Sequence, residues 1–382
     1  MNLFLQSLVR HFGWWLASFW PGRHEGAPLS GRRLLFLLLF YPAFFALQFV
    51  HWLGFLCDEI CFSGYRRVQV KAPVFVLGIP RSGTTFLHRT LAGDRARFTS
   101  FNTWEAILAP SVSERKLIGL LQSTDRALGA PLAKLVKKLL RSASGDFDDI
   151  HEVTPNAPEE DYLSLLPAGA CFILLLAFPF SPRLRELARL DEIPSRERQR
   201  LLHGYKAALQ RHLYCHPDKR LLSKNAAFAT WAEALRATFP DATFLVCVRQ
   251  PSSALSSQLS SLAPARAFFG SDPTGEQTTR MFTDIYAHSY QRLAEFVESS
   301  EASQVALIEQ SDMKAAPAKT IGKAVKQLGL ELDVALDELE PAKPSAHRHD
   351  PDDFSLDPGA IEGCMKPPYQ AMLRSRNRVL NR

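Results

Sequence analysis

Residues 74–85 read Val-Phe-Val-Leu-Gly-Ile-Pro-Arg-Ser-Gly-Thr-Thr, an apolar run that passes directly into a Gly/Ser/Thr turn. Phe86, Leu87 and Leu91 follow at helical spacing, so the segment reads as strand, loop and helix N-terminus in succession. That order is a physical recipe for holding a phosphate-like anion. Loop N–H groups converge on the anion, the unpaired N–H groups of the first helical turn face it, and the helix dipole favours its charge. Gly78 and Gly83 have the spacing of the phosphate loop G-x-x-x-x-G-K-[ST], but Thr84 stands where the lysine belongs. The cation lies inside the loop instead, as Arg81. This exchange argues against ordinary nucleoside triphosphate chemistry.

Downstream, short β-branched or aromatic runs alternate with longer helical stretches. Residues 74–79, 221–223, 243–248 and 305–309 read as strands, and residues 84–91, 228–237, 252–261 and 313–328 as helices. The alternation predicts an α/β fold: a central parallel sheet with helices on both faces and ligands at the carboxyl ends of the strands. Between the first two strands lies a long, mostly helical insertion, about residues 104–215, of the kind that shapes an acceptor pocket. Within it, residues 134–141 form a basic amphipathic stretch read as a surface helix. Residues 171–180 form an apolar wall too short to cross a bilayer. A polar cluster occupies residues 347–353.

Composition narrows the class. The chain has 382 residues, 46% of them hydrophobic, with 45 Lys+Arg against 39 Asp+Glu. It can bury a sizeable core, and no block of like charge marks a nucleic-acid tail. Its six cysteines are dispersed without zinc-type spacing and no Asn-x-Ser/Thr sequon occurs, which together favour a reducing, cytoplasmic site for the catalytic part. Residues 34–57 carry no formal charge and are mostly Leu, Phe and Ala, long enough to cross a bilayer at about 20 residues per span. Trp14, Trp15 and Trp20 lie upstream among apolar residues, which suits a headgroup interface. Residues 1–71 are therefore expected to contact a membrane, by spanning it or by lying in one leaflet. An apolar helical hairpin packed on the globular part is the alternative. Residues 72–382 are expected to form the catalytic domain.

A second constellation follows the run at 244–248, where Arg249-Gln250-Pro251 leads into Ser252, Ser253, Ser256 and Ser257. A kinase-type protein would carry an aspartate there for magnesium. An arginine, with a serine eight residues on, can instead grip a second phosphate with fork-shaped hydrogen bonds.

On these residues the chain resembles sulfotransferases that use 3′-phosphoadenosine 5′-phosphosulfate, in particular the broad, mainly microbial branch related to tyrosylprotein sulfotransferases. Residues 78–85 match that family's 5′-phosphosulfate loop, and Arg249 with Ser257 matches its 3′-phosphate pair. Leu222-Ser-Lys-Asn225 resembles the segment whose lysine acts on the transferring group, and Phe239-Pro-Asp-Ala242 is also family-like. The resemblance covers roughly residues 72–330. It implies a sulfotransferase fold akin to P-loop nucleotide kinases, a nucleotide co-substrate, no required metal, and sulfo transfer to a hydroxyl or amine of a small-molecule, lipid or glycan acceptor. Arg81, Ser82, Gly83, Thr84, Thr85, Arg249 and Ser257 are implied donor contacts, with Arg81 and Lys224 acting on the sulfo group.

The acceptor also needs a general base. Where the cytosolic enzymes carry a histidine after the lysine, this chain has Asn225 and Ala226. The tyrosylprotein branch uses a glutamate beyond the loop helix, for which Glu105 is the candidate; His151, Glu159 and Glu160 are its rivals. No Arg-Lys-Gly-type tail segment is present, and Arg348 is the substitute considered for it. Two other classes stay open: an ATP-dependent phosphotransferase, disfavoured by Thr84 and Arg249, and a catalytically silent donor-binding membrane protein.

Overall fold

In a computed structural model that describes residues 3–20, 26–131, 134, 156–341 and 356–380, each strand is short because it only has to cross the core. β1 (Val74–Gly78), β2 (Phe98–Thr99), β3 (Arg220–Asn225), β4 (Thr243–Val248) and β5 (Val305–Glu309) form one parallel sheet in the order β2-β3-β1-β4-β5. Every residue of β1 is buried, which is why the strand is continuously apolar rather than alternating. Phe75 and Leu77 join one apolar cluster with Phe244 and Val246, while Val74 and Val76 join a second with Leu245 and Cys247. Both faces are thus covered.

Four strands fall where the sequence predicts them; the two-residue β2 carries no periodicity and goes undetected. The stretch expected as one helix at 228–237 begins as a 3₁₀ turn, Ala226–Trp231, before the helix Ala232–Thr238. The stretch expected at 313–328 is two helices, Gln310–Ala315 and Pro317–Gln327, because Pro317 can start a helix but not continue one.

The helices that position the site are α1 (Leu3–Ala17), α2 (Gly31–Cys61, with a π turn at Phe36–Phe40), α3 (Thr84–Leu91), α4 (Thr103–Ile107), α5 (Val112–Ala127), α6 (Ser195–Cys215), α7 (Pro251–Phe269) and α8 (Glu276–Ser299). Residues 1–71 and the remainder share a core: Trp14, Phe36, Leu37 and Tyr41 belong to the same apolar cluster as Phe75 and Phe244. Most of the basic stretch at 134–141, His151, and the cluster at 347–353 with Arg348 lie outside the described residues.

The insertion is held by buried charge. Asp58 of α2 accepts hydrogen bonds from the N–H groups of Val112 (3.0 Å) and Ser113 (2.8 Å), capping α5, and pairs with Arg211 of α6 at 2.9 Å. Glu105, at the third position of α4, reaches back to the Asn102 N–H at 2.9 Å in a capping box. Its other oxygen lies 2.9 Å from His216 Nε2 and 3.4 Å from Arg115 Nη1. Burial alone would raise its pKa, but His216, His212, Arg115 and the Asn102 N–H together hold it down at about 2.

A carboxylate held below its unfolded value stabilises the fold above that value and loses the contribution as pH falls. From an ordinary value of 4.5 to about 2, Glu105 contributes roughly 3 kcal/mol at neutral pH. Urea unfolding should therefore show stability falling between about pH 4.5 and pH 2 in the native chain. Glu105→Gln should flatten that slope and lower stability at neutral pH by roughly 3–5 kcal/mol, because Arg115 is left buried without its partner. An unchanged urea midpoint would refute the assignment.

Candidate active site

The carboxyl ends of β1, β3 and β4 open onto one cavity of about 720 Å³, and the loop after β1 forms its floor. A Cβ on Gly78 would sit 1.9 Å from the Cys247 carbonyl oxygen, so only glycine lets β1 and β4 run this close. Arg81 holds a left-handed φ of 68°, unusual for a residue with a side chain and costing on the order of 1 kcal/mol. Three contacts maintain it. Its carbonyl accepts from Arg249 Nη1 and from Gln310 Nε2, both at 3.1 Å, and its Nε donates to Ser257 Oγ at 3.2 Å. Ser82 is buried and its hydroxyl donates back to the Ile79 carbonyl, closing the turn at 2.6 Å. Gly83, at φ 90°, starts α3, whose first residues Thr84 and Thr85 face the cavity.

Arg249 leaves β4 half-buried, its carbonyl bonded by the Tyr290 hydroxyl, while the Tyr286 hydroxyl bonds the Pro80 carbonyl at 3.2 Å. Two α8 tyrosines thus fix both arginine-bearing segments. Burial, and then the charge of Arg81, pull the Arg249 guanidinium below its ordinary pKa. Burial and Arg249 do the same to Lys314, which follows β5 and also lines the cavity. The hydrogen bonds of Arg81 and Arg249 go to a serine hydroxyl and a carbonyl, not to a carboxylate. Like charges gathered this way describe a site that an anion completes. Lys314, Gln310 and Tyr286 escape a reading of the sequence because they belong to no motif. Only their position beyond β5 and on α8 brings them to the loop.

Lys224 is the penultimate residue of β3 and is 3% exposed. Its Nζ lies 3.3 Å from Thr85 Oγ1, from Glu159 Oε1 and from Glu160 Oε1. Burial works against its charge, yet the two carboxylates outweigh this and raise the pKa, so Lys224 is a cation at neutral pH. Asn225, the next residue, points away from the cavity. It accepts from the Tyr162 N–H at 3.1 Å and donates to the buried Asp161, whose pKa burial lifts to about 6. These bonds clamp residues 161–162 against β3 and so bring Glu159 and Glu160 to Lys224.

Glu105 stands apart from this cluster. It is 2% exposed, both its oxygens are engaged in the α4–α5–α6 joint, and it does not line the cavity. With His212 and His216 it has the ligand chemistry of a metal site. However, Arg115 Nη1 is 3.0 Å from His212 Nδ1 and Thr99 Oγ1 is 2.9 Å from His212 Nε2, so a guanidinium already takes the cation's place. The second half of the cavity is apolar, walled by Phe172, Ile173, Leu175 and Leu176 and by Leu262 and Phe282.

A family model described as "Sulfotransferase family" matches residues 73–334. The chain is similar in structure to sulfotransferase STF1 from Mycobacterium tuberculosis H37Rv, at 18% identity and a TM-score of 0.68, covering 96% of this chain and 92% of that one. It is also similar to sulfotransferase STF9 from Mycobacterium avium, at 17% identity and a TM-score of 0.62, covering 84% and 81%. At these identities the likeness is one of fold. No curated protein sequence matches the chain. The family match spans the whole sheet, from β1 through the loop with Arg81, to Lys224, Arg249 and β5, and on this ground the chain belongs to the sulfotransferase family.

Proposed function

We propose that the protein transfers a sulfo group from 3′-phosphoadenosine 5′-phosphosulfate to a hydroxyl or amine of a small-molecule, lipid or glycan acceptor, working at a membrane through its N-terminal region. The observation that carries this reading is the pair Arg81 and Arg249, held 3.1 Å apart from guanidinium to carbonyl on the cavity floor with Ser257 beside them. A donor with phosphate at both the 5′ and 3′ positions needs two anion contacts. The loop of residues 81–85 takes the phosphosulfate, and Arg249 with Ser257 takes the 3′-phosphate. A kinase would use an acidic residue and magnesium after β4, whereas Arg249 supplies positive charge there directly.

In the reaction the acceptor oxygen attacks sulfur in line. The new O–S bond forms as the bond from sulfur to the 5′-phosphate oxygen breaks, and 3′,5′-adenosine bisphosphate leaves with the electron pair. Arg81, Lys224 and the N–H groups at the start of α3 face the charge that develops on the leaving oxygen and the sulfo group. The acceptor proton passes to a carboxylate. We assign this to the Glu159/Glu160 pair rather than Glu105, because those two side chains line the cavity beside Lys224. When Lys224 turns to the sulfo group, its carboxylate partners are released to accept the proton. The apolar half of the cavity suits an acceptor with a hydrophobic body.

Calorimetric titration with 3′,5′-adenosine bisphosphate should give tight binding without magnesium, weakened by about 100-fold in Arg249→Ala. Preference for ADP with magnesium, or indifference to Arg249, would overturn the donor assignment. In a sulfo-transfer assay, Glu159→Gln or Glu160→Gln should lower kcat by about 10²–10⁴-fold without weakening bisphosphate binding. Full kcat in both, with loss in a folded Glu105→Gln variant, would return the base to Glu105.

A further inference from the structure

Helices α1 and α2 are built inside out. On α1 the buried positions are Ser7, His11 and Trp14, while Leu5, Val9, Phe12 and Leu16 are exposed one turn after another. On α2 the residues turned inward include Arg33, Gln48, His51 and Asp58, and those turned outward include Leu39, Val50, Leu53, Leu56 and Ile60. A helix packed on a protein in water ordinarily shows the reverse pattern. Exposed apolar positions this numerous and contiguous mark a surface that a partner covers.

Arg33, His51 and Asp58 tie the start, middle and end of α2 to the catalytic part. Arg33 donates to the Ala177 carbonyl (2.7 Å) and the Phe269 carbonyl (3.0 Å) at its start. His51 Nδ1 is 2.5 Å from Glu114 of α5 in the middle, and Asp58 caps α5 and pairs with Arg211 near the end. A helix crossing a bilayer meets lipid on most sides and leaves its soluble domain at one end. This helix, about 45 Å long at 1.5 Å per residue, lies flush against the domain instead. Helix α1 packs on one side of it through Phe4 against Phe49 and Trp52; α5 packs on the other through His51, Gly54 and Asp58. Helix α5 adds exposed Leu117, Leu120 and Leu121.

Among the described residues of these three helices the freely exposed charges are basic. Helix α1 has no acidic residue; of those on α2 and α5, Asp58 and Asp125 are buried, Glu59 is held by Arg66 and Arg211, and Glu114 by His51. Arg32, Lys116 and Arg126 are exposed beside the apolar positions. An apolar stripe with basic margins matches an anionic lipid surface.

We propose that α1, α2 and α5 form an in-plane platform that docks the enzyme on one leaflet of an anionic membrane without crossing it. This deepens the membrane contact in the proposed function and does not depend on the donor assignment. The platform and the cavity share walls. Phe178 lies 5.8 Å from Trp14 and 5.0 Å from Tyr41 while nearby Leu175 and Leu176 line the cavity. Helix α7 carries Ser257 and Leu262 at the cavity and meets Phe36 and Phe40 through Phe269 and Phe268, each at 5.1 Å. Docking therefore sets the acceptor cavity one wall away from the bilayer.

The test is flotation of the full chain with phosphatidylcholine vesicles, with and without phosphatidylglycerol. The native chain should float with the anionic vesicles, and a Leu53→Glu/Leu56→Glu variant should float about tenfold less or worse. That variant should keep its melting temperature and its binding of 3′,5′-adenosine bisphosphate. On vesicles, Cys57 of α2 should become shielded from a water-soluble maleimide while the exposed Cys364 stays reactive. Flotation with Cys57 still reactive would overturn the platform. So would a native chain that does not float, whether a monomer or a dimer that the double variant disperses, the latter assigning the face to a second copy. Terminal tags accessible to protease on opposite sides of sealed membranes would establish a span and overturn the in-plane geometry.

Discussion

The whole site depends on how closely β1 and β4 approach at Gly78. Without a side chain there, the backbone of one strand lies against the Cys247 carbonyl of the other, and the two strands end side by side. The loop after β1 and the arginine after β4 then share one rim, and Arg249 bonds the carbonyl of Arg81 directly. Any side chain at Gly78 would part the strands and with them the two cations. The left-handed backbone at Arg81 is stable only because Arg249, Gln310 and Ser257 hold it from three other elements.

Charge is organised in two ways in this molecule. In the insertion it is satisfied: Glu105 with Arg115 and His216, and Asp58 with Arg211 and the start of α5, are buried joints in which each charge has a partner. At the cavity floor it is left open, with Arg81, Arg249 and Lys314 drawn together and their carboxylates absent from the contacts they make. The first arrangement satisfies its charges within the protein; the second leaves positive charge open to the cavity. Lys224 lies between the two regimes, paired with Glu159 and Glu160 yet bordering the open cavity.

The N-terminal helices follow the same logic in reverse. Their polar residues face the protein because their partners are there: Glu114 for His51, the α5 N-terminus for Asp58, and the Ala177 and Phe269 carbonyls for Arg33. Trp14, Phe36, Leu37 and Tyr41 join the core, but many of the helices' other apolar residues, Leu53, Leu56 and Ile60 among them, are left outside. Hydropathy along residues 34–57 is the same for a spanning helix and for one lying on a surface, since it counts residues without regard to the side of the helix they occupy. Gln48 and His51 interrupt the apolar run and Asp58 follows it, and only the structure shows that all three are buried on one side, with His51 and Asp58 bonded to the domain.

By itself the sequence determined the strands and the turn after β1, because those depend on local pattern. Apolar runs of five or six residues make β1, β4 and β5, the short run at 221–223 marks β3, and Gly78, Gly83 and the α3 start shape the turn after β1. That Arg249 and Ser257 fall near one another was equally legible, since their spacing along one strand and helix is fixed by the chain. Tertiary structure alone decided which carboxylate meets Lys224. Glu105 is nearer the loop in sequence, but its side chain is drawn into α6 by His216 and Arg115. Glu159 and Glu160 come to the cavity because Asn225 bonds residues 161 and 162. The two-residue β2 and the positions of Lys314 and Gln310 at the cavity were decided there too. A contact between distant segments depends on how whole elements pack, and no local spacing encodes it.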